Sequence, residues 1–405
     1  MISVIIPNYN NGHYLNAAIQ SVLDQEYCDF EIIVVDDGST DNSQEVVASF
    51  GHQVRYIWQE NQGLGGARNT GIRASRGEFI ALLDADDQWA PGFLEMMVSL
   101  TAQYPEAAVY YCCAQGMDVD GRELPQRFGS PPRSPEVMYQ TLLRANFLIP
   151  STVLLRKAIV LEAGLFEQEI QSIHGCEDWD LWLRLLPEHR FIGTSACLVR
   201  YRLHGSSLSA NPAGMQQAAR TVIERHFGPD DGQCESWLAD KRRAYGGLYR
   251  YFALTSVQCQ NDWQGGASYL RRALQADATL AADMDLFYNL ALGNQPPGYR
   301  GTSYQLDLES NTAHIRIMLE TIFDAVSSSE LGSLRRQAYG TAHFALGLVA
   351  YNTGQRTLCR TFLLKTLYYR PDLWSDSRLT GNLVKSFVSQ QTLQRIKGYA
   401  SQTCA

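Results

Sequence analysis

The chain has 405 residues, of which 45% are hydrophobic and 19% charged, and its formal net charge is −8. This length exceeds one ordinary hydrophobic core and predicts two domains or three, and the composition excludes an intrinsically disordered chain. The acidic balance argues against a uniformly basic surface, so nucleic acid is not an expected partner.

The first half of the sequence alternates apolar runs with segments of helical periodicity. Four short runs predict buried strands, at Ile2–Ile6, Glu31–Val35, Val54–Trp58 and Phe79–Leu83. Pro7 ends the first run. Strands that alternate with helices at this spacing predict right-handed crossovers and a mostly parallel sheet with flanking helices, which is an α/β fold.

An acidic pair, Asp36-Asp37, follows the second predicted strand. A carboxylate at this position can accept a hydrogen bond from a nucleotide base or a ribose hydroxyl. Tyr9, after the first strand, offers an aromatic face for stacking. The alternative is an Asx-turn that begins the next helix, although Ser39 or Asp41 can also fill that role.

The segment from Asn61 to Gly71 is rich in glycine and begins a helix. Helix N-termini attract phosphate, but this segment has neither the dinucleotide-binding nor the P-loop spacing. Within it, Arg68 is expected to pair either with a donor molecule or with a carboxylate, Asp36 or Asp86.

Three carboxylates follow the fourth predicted strand, in Asp84-Ala85-Asp86-Asp87. Ligands of such sheets bind at the carboxyl ends of the strands, where these charges repel one another unless a cation joins them. Mg²⁺ and Mn²⁺ prefer carboxylate oxygens and keep other positions for substrate phosphates. The cluster therefore predicts a divalent-metal site; the alternative is a solvated acidic turn that caps a helix from Pro91 to Leu100.

A further helix is predicted from Gly175 to Leu186. Asp178 lies on its apolar face, where a carboxylate is costly unless it is paired or functional. It is therefore a candidate general base, and the alternative is a helix N-cap. Asp180 and Arg184 lie on the other face and predict an ordinary surface pair.

His204 lies near the end of the α/β half, beside Arg200 and Arg202. A neutral imidazole at this position can complete a metal shell or contact a diphosphate. The alternative is a packed or surface histidine, and the residue alone does not decide between them.

The sequence after about residue 211 has helical periodicity and no clear strand signal. Two similar segments, Lys241–Gly246 and Leu334–Gly340, each precede a predicted helix with small residues at fixed offsets. This pattern resembles tetratricopeptide helix pairs, and the alternative is an irregular helical bundle. We predict an α/β domain over residues 1–212 and an all-α domain over residues 213–405, whose role is acceptor binding, oligomerisation or docking of a protein partner.

Six motifs in the first half match, in order, those of a known family. They are Val4-Ile5-Ile6-Pro7-Asn8-Tyr9-Asn10, Val35-Asp36-Asp37-Gly38-Ser39-Thr40-Asp41, Asn61-x-Gly63 with Ala67-Arg68-Asn69-x-Gly71, Asp84-Ala85-Asp86-Asp87, Glu177-Asp178 and Tyr201-Arg202-x-His204. Over about residues 1–209 the chain resembles the family 2 glycosyltransferases. The resemblance implies a GT-A fold, with a Rossmann-like, mostly parallel mixed sheet and flanking helices, before the all-α domain.

The resemblance also implies a role for each matching residue. Tyr9 and Asp37 contact the nucleotide base, and Asp84 lies near the ribose. Asp86 binds a metal that holds the donor diphosphate, with His204 close to the metal or the diphosphate. Asp178 is the catalytic base of a single displacement that inverts the anomeric centre. The residues implied in donor binding are Pro7, Tyr9, Asp37, Arg68, Asp84 and Asp86.

These features predict transfer of a sugar from a nucleotide-diphosphate donor, with a UDP-sugar as the first candidate, to a glycan, lipid-linked or protein acceptor. Mn²⁺ or Mg²⁺ is the expected cofactor, and the segment from Tyr110 to Pro150 is expected to supply acceptor-side loops. One alternative is a nucleotidyltransferase, but Asn8-Tyr9-Asn10-Asn11 is not the basic Gly-rich signature which that class carries after its first strand. The other is a catalytically silent nucleotide-sugar binder with a helical scaffold.

The cellular compartment is inferred from cysteines and apolar runs. Nine cysteines occur without a C-x-x-C pair, which argues against a zinc site and favours reduced thiols. The N-terminal segment lacks the basic start and length of a secretory signal, and no apolar stretch approaches the about 20 residues of a membrane span. We expect a cytoplasmic enzyme, with peripheral attachment to the inner face of the membrane as the alternative.

Overall fold

The computed structural model describes residues 1–129, 131–167, 175–205, 207, 210–295, 306–324 and 329–387. The chain forms two compact units that divide between Asp230 and Asp231. This corrects the predicted boundary at residue 212, because the helix Pro212–Phe227 belongs to the first unit. The predicted second domain also includes residues 388–405, which lie outside the described part of the chain.

The first unit is built on one mixed sheet of nine strands in the described residues. The strands are β1 (Ile2–Asn8), β2 (Phe30–Asp36), β3 (Val54–Trp58), β4 (Phe79–Leu82), β5 (Gln88–Trp89), β6 (Val109–Met117), β7 (Glu123–Phe128), β8 (Val153–Arg156) and β9 (Phe191–Arg202). Their order is β3-β2-β1-β4-β8-β6-β9-β5, with β7 also paired to β6. Neighbours among β1 to β4 pair in parallel, whereas β8 is antiparallel to both β4 and β6. The predicted α/β sheet is confirmed.

Two details of the strands differ from the sequence prediction. β1 does not end at Pro7 but continues to Asn8. β4 pairs with β1 only as far as Ile5, so the missing N–H of Pro7 costs no hydrogen bond on that side. The segment from Tyr110 to Pro150, which was predicted to supply loops, also holds most of β6, a strand inside the sheet, together with β7.

Helices cover both faces of this sheet. They are α1 (Gly12–Leu23), α2 (Ser43–Ala48), α3 (Gly63–Ala74), α4 (Phe93–Gln103), α5 (Pro135–Arg144), α6 (Lys157–Glu162), α7 (Glu177–Leu185) and α8 (Pro212–Phe227). On one face, α1 and α4 pack around Val4 and Ile6 of β1. On the other, Ala67 of α3 packs on β2, and a Cβ at Gly71 would collide with Ile5. The glycine therefore lets α3 approach β1 closely.

The second unit is helical throughout its described residues. Its helices are α9 (Ala239–Gln260), α10 (Trp263–Ala276), α11 (Met284–Leu292), α12 (Leu308–Asp324), α13 (Ser329–Ser333), α14 (Arg335–Asn352), α15 (Arg356–Tyr369) and α16 (Ser377–Ser386). The predicted helical region after the sheet is confirmed. Among the helices described in either unit, none combines the length with the apolar composition that a membrane crossing requires.

Two helix pairs, α9 with α10 and α14 with α15, are built in the same way. Arg242 in the first pair and Arg336 in the second donate to the last carbonyls of the second helix, at 3.0 and 2.8 Å. One turn later, a Cβ at Gly246 or Gly340 would collide with the residue that follows that second helix. The two similar segments thus hold equivalent positions, but they lie at the start of a helix rather than before it.

Candidate active site

The two consecutive aspartates after β2 have different surroundings. Asp36 accepts hydrogen bonds from the Ser39 backbone N–H at 2.8 Å and from the Tyr56 hydroxyl at 2.6 Å. Asp37 Oδ1 accepts from Gln59 Nε2 at 2.6 Å and from the Gln62 N–H at 2.9 Å. The Asx-turn interpretation therefore describes Asp36, whereas Asp37 is held by residues of the next loop.

The loop after β1 meets the loop after β2. Asn10 N–H donates to Ser39 Oγ at 2.9 Å, and Asn8 Nδ2 donates to the same oxygen at 3.2 Å. Tyr9 between them is 51% exposed, so its ring is accessible beside Asp37. Pro7 is buried inside β1. The structure thus brings Tyr9 and the Asp36-Asp37 pair to one edge of the sheet, as the parallel pairing of β1 and β2 requires.

The acidic segment after β4 is anchored by its last residue. Asp87 is 1% exposed, and it accepts hydrogen bonds from Ser151 Oγ at 2.6 Å and from the Arg202 N–H at 2.9 Å. Burial and the neighbouring carboxylates of Asp86 and Asp84 raise the pKa of Asp87 well above its usual range. Both oxygens of Asp87 are engaged by the fold, which leaves Asp84 and Asp86 as the carboxylates available to a ligand.

Asp86 and His204, the two predicted metal ligands, lie side by side. Asp86 Oδ2 is 2.8 Å from His204 Nε2. Burial and the charge of Asp84 raise the pKa of Asp86, while the hydrogen bond with His204 lowers it. A cation at this position would relieve the repulsion between the two carboxylates.

The donor atoms fit a hard divalent cation that shares its coordination with a substrate. Among the described residues, no group of three or more His, Cys, Asp and Glu side chains is placed to hold a metal by itself. Mg²⁺ characteristically binds through one or two protein carboxylates and takes phosphate oxygens and water for the rest. Asp86 and His204 suit that mode, and they do not suit a closed structural site.

Arg68 links the acidic segment to the helix that carries Asp178. Its side chain is 1% exposed; Nη2 lies 2.6 Å from Asp84 Oδ1 and Nη1 lies 2.5 Å from Glu177 Oε1. The predicted partners Asp36 and Asp86 were wrong, because they bond to Ser39 and Tyr56 and to His204 respectively. Glu177 begins α7. The two ion pairs of Arg68, which we call the Arg68 bracket, therefore bring the start of α7 to the loop after β4.

We predict that Arg68→Met destabilises the fold by about 3–5 kcal/mol, because it leaves the carboxylates of Asp84 and Glu177 without their buried partner. Urea unfolding measures this loss. Arg73→Met on the exposed side of the same helix is the matched control, and we expect it to change stability by no more than about 0.5 kcal/mol. Equal stability of the two variants would contradict the assignment.

Asp178 lies in the first turn of α7 and is 8% exposed. It is not the N-cap, because Cys176 holds that position. Asn146 Nδ2 donates to Asp178 Oδ2 at 2.8 Å. Burial and the charge of Glu177 raise the pKa of Asp178 to about 7, against the opposing effects of Arg68 and Asn146. A carboxylate with this pKa is half ionised near neutral pH, which suits a general base.

The predicted pair of Asp180 and Arg184 forms, but Asp180 is buried rather than at the surface, and Arg184 is half-buried. Asp180 has no exposed side-chain surface and lies 2.8 Å from Arg184 Nη2 and 2.9 Å from His226 Nε2. The sequence interpretation failed because α8 covers this side of α7, and His226 belongs to α8. Asn146 was also missed, since the segment around it carries no motif.

Comparison with known proteins places the chain in a family. The model of the family described as "Glycosyl transferase family 2" matches residues 3–163. The UDP-Glc:alpha-D-GlcNAc-diphosphoundecaprenol beta-1,3-glucosyltransferase of Escherichia coli is 31% identical over 215 residues, which cover 52% of this chain and 80% of that protein. The chain belongs to glycosyl transferase family 2. The predicted family and its GT-A architecture, a mixed sheet with flanking helices before a helical region, are confirmed.

Two other glycosyltransferases each match about half of the chain. A putative teichuronic acid biosynthesis glycosyltransferase of Bacillus subtilis is 29% identical, over 52% of this chain and 82% of its own length. An uncharacterized glycosyltransferase of Rickettsia typhi is 30% identical, and the match covers only 64% of that protein. The crystal structure of Staphylococcus aureus TarS 1-349 with UDP-GlcNAc is 18% identical, with a TM-score of 0.47 over 91% of this chain and 92% of that one.

Proposed function

We propose that this family 2 member transfers a sugar from a nucleotide-diphosphate donor to an acceptor hydroxyl in one inverting step. The observation that carries the proposal is the Arg68 bracket between Asp84 and Glu177. The bracket connects the loop that carries Asp86, which with His204 would bind the donor diphosphate, to the start of α7, which carries the proposed base Asp178. Release of nucleoside diphosphate from the donor in the presence of Mn²⁺ tests the proposal.

The donor is held at the edge where β1, β2 and β4 end. Asp86 and His204 would hold Mn²⁺ or Mg²⁺, which supplies Lewis-acid stabilisation of the leaving diphosphate. Tyr9 stacks on the nucleotide base, and Asp37 accepts a hydrogen bond from it. Arg68 is committed to two carboxylates, so its contribution to donor binding is to fix Asp84 in place.

The acceptor is activated on the other side of the bracket. Asp178 takes the proton of the attacking hydroxyl, which is a weak nucleophile at neutral pH. A retaining mechanism through a covalent sugar would need a second carboxylate as nucleophile. Glu177 is the nearest in sequence, and its Oε1 is held by Arg68 at 2.5 Å. With one carboxylate available as base, a single displacement with inversion is the step we propose.

The hydrogen bonds of Asp37 favour a uridine donor. Oδ1 already accepts two of them, from Gln59 and Gln62. The remaining oxygen can accept one hydrogen bond from a base N–H, such as uracil N3–H. Guanine has an amino group beside its N1–H, so a carboxylate binds it best when both oxygens are free to accept. The name of the Escherichia coli relative also specifies a UDP-sugar, UDP-Glc. We therefore propose a UDP-sugar as donor.

We predict that UDP-sugars with Mn²⁺ raise the melting temperature more than GDP-sugars do, because ligand binding stabilises the native state. Asp37→Asn should weaken UDP-sugar binding by about tenfold or more, which corresponds to about 1.4 kcal/mol. Glu60→Gln is the control, because Glu60 is exposed and follows Gln59 in the sequence. This variant should bind the donor as the wild type does. An equal or larger shift with GDP-sugars would overturn the uridine assignment.

The second unit is proposed to serve the acceptor side. The equivalent positions of Arg242 and Arg336 support tetratricopeptide-like helix pairs, which stack and present a continuous surface. The relatives from Escherichia coli and Bacillus subtilis are named for a diphosphoundecaprenol-linked acceptor and for teichuronic acid biosynthesis. We propose a cell-envelope glycan or its lipid-linked precursor as the acceptor, reached at the cytoplasmic face of the membrane.

A further inference from the structure

A buried network of charged side chains holds α7, the helix that carries Asp178, against α8. Asp180, two residues along α7, has no exposed side-chain surface. One of its oxygens lies 2.8 Å from Arg184 Nη2, and the other lies 2.9 Å from His226 Nε2 on α8. Arg225, also on α8, approaches that second oxygen to 3.8 Å. A buried carboxylate of this kind is costly if a partner is lost, so the network fixes α7 against α8.

The other end of α8 reaches the segment just before α7. Gly175 has a φ of +117°, a conformation that glycine adopts readily, and a Cβ added there would lie 3.2 Å from Met215 Sδ. α8 therefore contacts the chain at two points, near Gly175 through Met215 and at Asp180 through His226. Asp178 lies between these two points in the sequence.

The network continues from Asp180 toward the donor side of the sheet. Arg184 Nη2 donates to the carbonyl of Leu165 at 2.6 Å. The next residue, Phe166, exchanges backbone hydrogen bonds with the Asn69 side chain, at 2.8 and 2.9 Å. Asn69 follows Arg68 on α3. Hydrogen bonds, together with the peptide link from Leu165 to Phe166, therefore connect α8 with the helix that braces Glu177.

We propose that α8 positions the catalytic base, with His226 as the positioning residue that acts through Asp180. This inference rests on the proposed role of Asp178. Without the imidazole, Asp180 keeps Arg184 but loses its hydrogen bond to α8, where only the 3.8 Å approach of Arg225 remains, and α7 can shift. A shift of α7 changes the distance of Asp178 from Asn146 and Arg68, and a misplacement of about 1 Å can cost about 100-fold in rate.

The predicted effect is on the transfer step and not on donor binding. In His226→Phe we expect kcat to fall at least about tenfold, while KM for the donor stays within about twofold of the wild type. In the described part of the chain, the ionisable groups that interact most strongly with Asp178 are Glu177, Arg68 and Cys176. Because the shift weakens the effects of Arg68 and Asn146, the acidic limb of the kcat–pH profile should move to higher pH. A merely structural role would lower the melting temperature and leave this limb unchanged.

The experiment compares His226→Phe and four further variants of the full chain with the wild type, with kcat expressed per folded protein. His226→Gln keeps an N–H that can reach Asp180 and should restore most of the rate. Met215→Ala removes the contact at the other end of α8 and should move the pH limb in the same direction as His226→Phe. Thr221→Ala, on the same helix, should behave as the wild type. Asp178→Asn, measured alongside them, gives the rate without the base.

The outcomes separate this inference from the proposed function. If Asp178→Asn is inactive while His226→Phe and Met215→Ala keep the wild-type kcat and pH limb, the positioning role is overturned and the base assignment stands. If Asp178→Asn keeps its activity, the base assignment itself fails, and the positioning role fails with it. A lower kcat with a displaced pH limb in His226→Phe and Met215→Ala, and rescue by His226→Gln, supports the inference.

Discussion

We expect Asp178→Asn to lose sugar transfer by a factor of about 10²–10⁴ while it binds the donor as the wild type does. Asparagine fills the same space and can still face Asn146, but it cannot take a proton from the acceptor hydroxyl. Coupled detection of released nucleoside diphosphate measures transfer, and calorimetry measures donor affinity. Glu188→Gln, an exposed substitution just after α7, is the matched control. Turnover near the wild-type level in Asp178→Asn would exclude this residue as the base.

The pH dependence of the rate follows from the same carboxyl group. Burial and Glu177 raise the pKa of Asp178 to about 7, and only the ionised form can act as a base. The rate should therefore rise between about pH 6 and pH 8, with a midpoint near 7, and the residual rate of Asp178→Asn should lack this limb. A wild-type limb near the ordinary pKa of an aspartate would contradict the burial effect.

The raised pKa also has a consequence for stability. A buried acid with a raised pKa contributes most to stability below the pKa of the unfolded chain, and this contribution is lost as pH rises through about 7. The wild type loses stability at high pH because the buried carboxyl group must ionise. Asparagine cannot ionise, so Asp178→Asn should be more stable than the wild type at pH 8 by on the order of 2 kcal/mol. Urea unfolding should show little gain at pH 4, a small gain at pH 5 and the full gain at pH 8, because the loss begins near the unfolded pKa and is complete above the folded pKa. Catalytic groups often lower the stability of the native state in this way, because activity requires them to be buried and ionisable.

The second large effect is expected at the metal site. Asp86→Ala should abolish the part of donor affinity that depends on Mn²⁺, because it removes the carboxylate that pairs with His204 at 2.8 Å. The expected loss is about 100-fold or more, which corresponds to about 2.8 kcal/mol. Donor titrations with Mn²⁺ and with a chelator measure the dependence. Asp120→Ala, at an exposed turn, should leave it unchanged. The same Mn²⁺-linked gain in Asp86→Ala as in the wild type would count against the metal assignment.

The strands that could be predicted from sequence are those with a continuous apolar run. β1, β2 and β4 are buried along most of their length, so their sequences are mostly apolar. β3 is the edge strand and is only partly buried, but its run of Val, Tyr, Ile and Trp is also typical of a strand. β6 was missed because its sequence, Val-Tyr-Tyr-Cys-Cys-Ala-Gln-Gly-Met, has few β-branched residues and lies beside a segment rich in Pro, Gly and Arg. It is a strand because β8 and β9 pair with it on both sides. Such long-range pairing leaves little trace in the local pattern.

The residues of the candidate site could be found from sequence motifs, but the residues to which they bond could not. The pairing of β1 with β2 carries Tyr9 and Asp37 to one edge, which follows from the order of the elements. The partner of Arg68 at Glu177 is 109 residues away in sequence, and nothing local indicates it. His226 likewise lies 46 residues from Asp180. Charge and spacing predicted an exposed ion pair there, and the packing of α8 decided otherwise.

The most direct test is the anomeric configuration of the first product. The protein is incubated with Mn²⁺ and the α-linked UDP-sugar that gives the largest thermal shift, and proton NMR follows the transferred or hydrolysed sugar before mutarotation. We predict release of UDP with the β-anomer formed first, and formation of both products slower by about 100-fold or more in Asp178→Asn. Formation of the α-anomer first, or donor binding without any release of UDP, would contradict a single displacement driven by Asp178.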